Sequence, residues 1–379
     1  MSVPVSDADG LYIGLMSGTS TDGVDAVIVE FNAGQAPRHV TATARPFDDA
    51  LRAELLALNT SGPNELHRCA MASQALVRVY AQAVHALLTR ANVQAAAVRA
   101  IGAHGQTVRH RPELGYTCQL NAPALLAELT GIAVVSDFRA RDVAAQGQGA
   151  PLAPAFHHAV FSADTPAVVL NLGGIANIST LVPGRPVTGF DTGPANVLMD
   201  LWCHRHLGTP YDADGQWAAT GTIDQGLLDY LIASEPWLAT APPKSTGRDL
   251  FNADWLDRRL ADFGRIRPGD LAAQDIQATL CALTARTVAH AIETWSHRPD
   301  HLWVCGGGAH NPVLMRQLEA CIGMPVRPTD DLGVPAQDVE AYAFAWLAYA
   351  YCAGLPGNLP AVTGAVAPRV LGHYTPLGY

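Results

Sequence analysis

Lysine is almost missing from this chain: among 379 residues there is one, Lys244, against 23 arginines. A chain that relies so heavily on arginine keeps an ammonium either where a compact point charge is needed or as a stray surface residue, and both readings stay open. Charge is scarce as well. Only 15% of residues are charged and the net charge is −10, which argues against nucleic acid or an anionic membrane as a partner. No long apolar run is present: the longest uncharged one, Ala341–Pro356, falls short of the ~20 residues a membrane helix needs. Seven cysteines include no CxxC and their count is odd. That excludes a disulfide framework or a zinc cluster as the organising device and fits a reducing, cytoplasmic compartment. The N-terminus has no basic region leading into an apolar stretch, so no signal peptide is expected. Fourteen histidines form no HExxH pair, and the adjacent His157 and His158 would point to different faces of a helix.

What the chain does have is apolar material, 49% of residues, enough for a sizeable core in two domains or one large one. It also has three glycine-rich turns. The first, Gly14–Gly23, lies between the apolar runs Leu11–Met16 and Val24–Phe31. The second, Asn171–Asn177, follows Val168–Leu170, and the third, Gly306–Pro312, follows Leu302–Cys305. With the first two roughly half a chain apart, they suggest a duplicated fold closing on a nucleotide.

The order of elements agrees. Residues 11–31 read as a β-hairpin, 64–92 as a helix, 98–103 as a strand, 123–130 as a helix stopped by Gly131, and 132–136 as a strand. Residues 144–154, rich in glycine and proline, read as a loop between domains. The pattern then restarts with strands at 167–170, 178–182 and 187–190. Helices follow at 196–207, 222–234, 253–263, 275–295 and 340–353. Alternating strands and helices imply an α/β protein with mixed sheets, its domains at 1–140 and 141–379, the last residues returning to the first.

The turns carry specific chemistry. Ser17–Gly23 holds two glycines, four hydroxyls and one carboxylate, so that backbone N–H groups and hydroxyls can converge on an anion. It lacks the GK[ST] of a Walker loop, and an ordinary polar hairpin turn is the alternative. Gly306, Gly307 and Gly308 are costly in backbone entropy. They make sense if a nucleobase or ribose lies flat against the backbone, since a plain turn needs one glycine. Pro312 suits the first turn of a helix with Asn311 as its cap. Asp191 ends an apolar strand beside Gly193-Pro194, where strand ends of α/β folds face ligand. It is a candidate base or metal ligand, or else the cap of the helix starting near Asn196.

Taken together, Gly14–Asp25 (GLMSGTSTDGVD), His104–Thr107 (HGQT), Asn171–Gly174 (NLGG), Phe190–Pro194 (FDTGP), Lys244–Arg248 (KSTGR) and Cys305–Ala309 (CGGGA) resemble the anhydro-N-acetylmuramic acid kinases, from about Leu11 to Gly372. The resemblance implies two related domains of the sugar kinase, heat-shock chaperone ATPase and actin (ribonuclease H-like) fold, with ATP and sugar in a cleft that closes on them. It implies a kinase of peptidoglycan recycling and amino sugar metabolism that uses ATP and Mg2+. Water opens 1,6-anhydro-N-acetylmuramic acid while its O6 takes the phosphoryl group. It further implies Asp191 as catalytic carboxylate, and Ser17, Gly18, Thr19, Ser20, Thr21, Asp22, Gly23 and Val24 as the first phosphate loop. Asn171, Gly173 and Gly174 would form the second, Gly306, Gly307, Gly308 and Asn311 the nucleoside turn, and Asp22 the metal contact. Gln106, Thr107, Asp137, Arg139 and Glu340 would face the sugar, Glu340 also opening a hinge helix. A homodimer is expected from the family alone.

The rivals are another sugar or acetate kinase of the superfamily and an ATP-gated binding protein or sugar-responsive repressor. With about ten residues before Leu11 and few after Gly372, neither a helix-turn-helix nor a peptide-binding domain is expected.

Overall fold

The computed structural model describes residues 8–18, 21–267, 269–296 and 298–378. Its strands are β1 (Gly10–Met16), β2 (Gly23–Phe31), β3 (Arg38–Pro46), β4 (Val98–Ala103), β5 (Gln106–Arg111), β6 (Tyr116–Leu120), β7 (Val134–Ser136), β8 (Ala167–Leu172), β9 (Ile175–Leu181), β10 (Thr188–Pro194), β11 (His301–Cys305), β12 (Val326–Pro328) and β13 (His373–Thr375). The chain divides into two compact units, the described part of Met1–Val160 with Asp338–Tyr379, and Phe161–Gln337.

In the first unit the sheet runs β13-β7-β4-β1-β2-β3, and β5 and β6 form a separate hairpin. β1, β2 and β3 are an antiparallel meander, while β4 lies parallel to β1 and β7 parallel to β4. The second unit repeats the plan. Its sheet runs β10-β9-β8-β11-β12, with β8, β9 and β10 antiparallel and β11 and β12 continuing parallel to β8. Five strands in each unit therefore share the spatial order 3-2-1-4-5. The duplication inferred from the glycine turns is present strand for strand.

Helices cover the sheets because their apolar positions recur at helical spacing. Glu65–Ala91 buries Leu76, Tyr80, Val84 and Leu87 against Ile13, Ile28 and Ile101. In the second unit Ala273–Trp295 buries Leu280, Leu283, Val288 and Ile292 in a core with Leu170, Ile178 and Val304. Each such side chain contributes roughly 1.5–3 kcal/mol of transfer free energy. Val339–Cys352 is apolar nearly all round and returns to the first unit. It lies directly on the strand backbones: a Cβ at Gly14 would sit 1.8 Å from Ala341 O, and one at Gly102 would sit 2.0 Å from Phe344 O.

Pro123–Thr130 and Asn196–Leu207 keep the limits read from the sequence, each closed by a left-handed glycine, Gly131 and Gly208. The helix expected from 222 starts at Gln225, because Asp224 caps it by accepting from Leu227 N. The residues expected to link the domains, 144–154, are tied inside the first unit. The buried Asp142 carboxylate accepts from Gly149 N at 2.7 Å, Asn358 Nδ2 at 2.6 Å and Thr363 Oγ1 at 2.8 Å. The expected boundary after residue 140 falls within that unit, whose first segment ends at Val160. His157 is buried and His158 exposed on the helix Ala153–Phe161, so the adjacent pair does diverge.

Candidate active site

β1, β4 and β7 are parallel, and their C-terminal ends carry Ser17-Gly18, His104 and Asp137 to one end of the first sheet. Ser17 is 1% exposed and is gripped from three directions. Its Oγ donates to Gly105 O at 3.0 Å and lies 2.7 Å from Tyr80 OH. With that one proton committed, the Tyr80 hydroxyl is the donor to Ser17. The Ser17 carbonyl faces His104 Nδ1 at 3.0 Å. The other ring nitrogen, Nε2, lies 3.2 Å from Arg139 Nε and 3.0 Å from Arg139 Nη2. A guanidinium only donates, so Nε2 accepts and the proton sits on Nδ1, aimed at Ser17 O. Burial, helped by the charge of Arg139, pushes the His104 ring down to about 3 and keeps it neutral.

Gln106, 2% exposed, donates from Nε2 to Gly18 O at 3.0 Å, and its Oε1 is buried with no partner among the described residues. Arg139 also donates to Gly149 O at 2.8 Å and feels the charge of Glu340. Thr107 accepts from Gln119 Nε2 at 3.2 Å. Asp137 is exposed and left-handed, φ 57°.

The predicted loop residues separate by environment. Thr19 and Ser20 lie outside the described residues. Thr21 is buried with φ 54°, and the Asp22 carbonyl accepts from Phe47 N at 3.0 Å. A Cβ at Gly23 would lie 2.4 Å from Arg45 O, and Val24 is buried in the core, so both serve the hairpin's own packing. Asp25 is pushed up to about 6 by desolvation against the sheet and then by the charge of Asp22. Among the described residues no three His, Cys, Asp or Glu side chains are grouped to hold a metal. Mg2+ takes one or two carboxylates from a protein and fills its other positions with phosphate and water, so it would not need such a group.

In the second unit β8, β10 and β11 run the same way, so Gly173-Gly174, Asp191 and Gly306–Gly308 share one end of the sheet. The turn carbonyls are held by backbone: Asn196 N donates to Gly173 O at 3.1 Å, and Ala195 N and Val197 N donate to Gly174 O at 3.0 and 3.1 Å. Two of the three consecutive glycines have internal reasons. A Cβ at Gly306 (φ 81°) would lie 2.5 Å from Asn171 Oδ1, and one at Gly308 would lie 2.6 Å from Leu172 Cβ. At Gly307 the nearest atom would be 4.0 Å away, at Gly173 3.7 Å and at Gly174 3.8 Å. The packing of the unit does not require those three to be glycine. Asn311 Oδ1 is spent on capping, accepting from Val313 N and Leu314 N at 3.0 and 3.1 Å. Asn171 Oδ1 faces the Cys305 thiol at 3.8 Å.

Asp191 is half-buried and caps no helix; the helix beginning at Asn196 has Ala195 in the cap position. Its Oδ2 takes both bonds, from Ser245 Oγ at 2.9 Å and Thr246 N at 2.8 Å, while Oδ1 is left without a protein partner among the described residues. Asp191 N in turn donates to Lys244 O at 3.2 Å. Burial pushes the carboxyl above the ordinary range, and Thr246 N–H, the Ser245 hydroxyl and the Lys244 charge pull it back. One fixed oxygen and one free one are what a proton acceptor needs. The single lysine anchors this strap: its Nζ donates to Leu238 O at 2.9 Å and lies 4.5 Å from the centre of the Trp237 ring. HGQT and KSTGR stand out in the sequence as motifs, but the sequence alone does not assign His104, Ser245 or Thr246 to a site. Their signal was a polar side chain inside a glycine-rich strand end.

A duplicated 3-2-1-4-5 sheet with loops at the strand ends is the ribonuclease H-like arrangement of sugar kinases, chaperone ATPases and actin, and this chain has that fold. The family model of anhydro-N-acetylmuramic acid kinase matches residues 10–377. A relative of that name from Bordetella petrii is 62% identical over 372 residues, 98% of either chain. Another from Burkholderia orbicola is 55% identical over 381 residues, again 98% of each. The chain belongs to the anhydro-N-acetylmuramic acid kinase family and is a kinase enzyme. Among solved structures, component A of the Acidaminococcus fermentans (R)-2-hydroxyglutaryl-CoA dehydratase aligns with 91% of this chain and 99% of its own, at 13% identity and a TM-score of 0.48. No described helix is long and apolar enough to cross a membrane.

Proposed function

We propose that this chain opens 1,6-anhydro-N-acetylmuramic acid with water and phosphorylates its O6 from ATP, giving N-acetylmuramic acid 6-phosphate and ADP in cell-wall recycling. The observation that carries the reading is Asp191, with Oδ2 fixed by Ser245 and Thr246 and Oδ1 free. The substrate's 1,6-ether leaves no free 6-hydroxyl, so the base has only water to act on. Oδ1 takes a proton from water as its oxygen bonds to C1. The C1–O6 bond breaks, its electron pair stays on O6, and O6 bonds to the γ-phosphorus as the bond to ADP breaks. Water activation by a carboxylate on the face opposite a departing oxygen is the logic of inverting glycosidases. ATP with Mg2+ supplies the phosphoryl group and neutralises its charge.

On this reading Ser17–Val24 and Asn171–Asn177 take phosphates, with Asp22 toward Mg2+, and Gly306–Asn311 takes the nucleoside, Gly307 leaving it room. Gln106, Thr107, Asp137, Arg139 and Glu340 serve the sugar. The protein acts in the cytoplasm as a homodimer, and molar mass by light scattering tests the dimer. The reaction is tested by ADP release with and without the anhydrosugar in 18O-water, followed by mass analysis. The label belongs on C1; label in the phosphate refutes the mechanism, and sugar-independent ADP release refutes the function.

A further inference from the structure

We infer that His104, oriented by Arg139 and seconded by Gln106, is a positioning residue for nucleotide phosphate, holding the first hairpin's peptide with its N–H turned outward. The inference rests on the kinase reading above and gives Arg139 and Gln106 a task on the first hairpin beside the one toward the sugar. It starts from peptide geometry. In a trans peptide the carbonyl and the following N–H point in opposite directions. His104 Nδ1 holds the Ser17 carbonyl at 3.0 Å, so the Gly18 N–H faces away from the ring. That N–H has no acceptor among the described residues, although Ser17 beside it is 1% exposed and has both its hydroxyl and its carbonyl bonded. Gln106 fixes the next carbonyl, Gly18 O, at 3.0 Å, and Thr21 N shares it at 3.2 Å. A backbone N–H held rigidly outward next to a glycine is the element from which anion-binding nests are built.

The donors must point the right way for this to work, and Arg139 makes them do so. With two guanidinium nitrogens at 3.0 and 3.2 Å, Nε2 cannot carry the proton, which leaves Nδ1 as the donor to Ser17. The ring is packed against Phe344, 4.7 Å between centroids, and cannot turn over without opening that contact. Arg139 is itself fixed by Gly149 O at 2.8 Å, on the loop that Asp142 holds. The chain of bonds thus runs from the Gly149 loop through Arg139 and His104 to the phosphate hairpin, all within the first unit.

The test measures ADP binding by calorimetry without sugar, together with KM for ATP and for the anhydrosugar. His104→Phe keeps the ring and loses both bonds; ADP affinity should fall at least about tenfold while sugar KM stays within about twofold. His104→Asn places an amide N–H near Nδ1 and should restore most of that loss, which a merely space-filling role would not give. Gln106→Met removes one donor and should cost roughly threefold in ADP affinity, a readout that holds if His104→Phe does not fold. Unaltered ADP affinity in folded His104→Phe or Gln106→Met, or a loss confined to sugar KM, overturns this inference alone. A parent protein that binds no nucleotide overturns the kinase reading as well.

Discussion

The two units build one sheet and hold its strand-end loops by different means. In the first, loop carbonyls are gripped by buried side chains, His104 on Ser17 O and Gln106 on Gly18 O. In the second, the equivalent carbonyls of Gly173 and Gly174 are gripped by the backbone of residues 195–197. The third strands differ too. β10 carries Asp191 with a free oxygen, whereas the first carboxylate after β3, Asp48, caps a helix by accepting from Leu51 N at 2.8 Å. One topology thus yields a loop that depends on polar side chains and a loop that depends on missing ones, and the carboxylate proposed above as the base lies in the second unit. Substitutions should therefore fail differently in the two halves.

The largest effect tests the asymmetry of the base. Asp191→Asn preserves shape and removes basicity, so ring opening and phosphoryl transfer should fall together by roughly 10²–10⁴-fold in kcat. A variant that still opens the ring without ATP would break the assignment. In the parent, the base must be ionised to accept a proton. Burial raises the Asp191 carboxyl, so kcat should decline on acidification through a range above that of an ordinary aspartate. A pH–rate profile flat down to the ordinary aspartate range would contradict this.

The next effect sharpens the contrast between glycines kept for packing and glycines kept for space. Gly308→Val would drive a side chain into Leu172, 2.6 Å from its Cβ, and should cost about 1–3 kcal/mol of stability, read as a lower denaturant midpoint. At Gly307 an added Cβ would have Asn196 Nδ2, 4.0 Å away, as its nearest non-adjacent neighbour, so Gly307→Val should leave stability near the parent's while weakening ATP affinity about tenfold. Equal behaviour of the two variants would erase the distinction.

That distinction marks where the sequence stopped being legible. The first hairpin, the repeated order of strands and the helix ends at Gly131 and Gly208 could be read, because apolar periodicity and glycine stops are local signals. β3 and the β5–β6 hairpin could not. Arg38–Pro46 is a largely half-buried edge strand whose polar and small residues give no clean alternation. That the last residues return to the first unit was expected, but that the return begins with Val339–Cys352 was not, because helices carry no label of the sheet they cover. Only Gly14 and Gly102, with carbonyls 1.8 and 2.0 Å from where a Cβ would stand, record the contact. Within the candidate site the strand-end residues were visible as motifs, but their division of labour was not. Three consecutive glycines look alike until Leu172 and Asn171 are placed beside two of them.

The smallest effect concerns the single lysine. Its backbone carbonyl holds Asp191 N, its Nζ donates to Leu238 O at 2.9 Å, and the ammonium lies 4.5 Å from the Trp237 ring centre. Lys244→Arg keeps the charge but replaces a compact donor with a longer planar fork, which cannot reach Leu238 O in the same geometry. The strap carrying Ser245 and Thr246 should shift, and kcat should fall about threefold to tenfold with both KM values nearly unchanged. Since the Lys244 charge lowers the Asp191 carboxyl, the arginine variant should keep the acid limb of its pH profile where the parent has it. Lys244→Met, which loses the charge, should move that limb to higher pH. An arginine variant as fast as the parent would make the lysine a survivor of composition, and an unmoved limb in Lys244→Met would remove its electrostatic role.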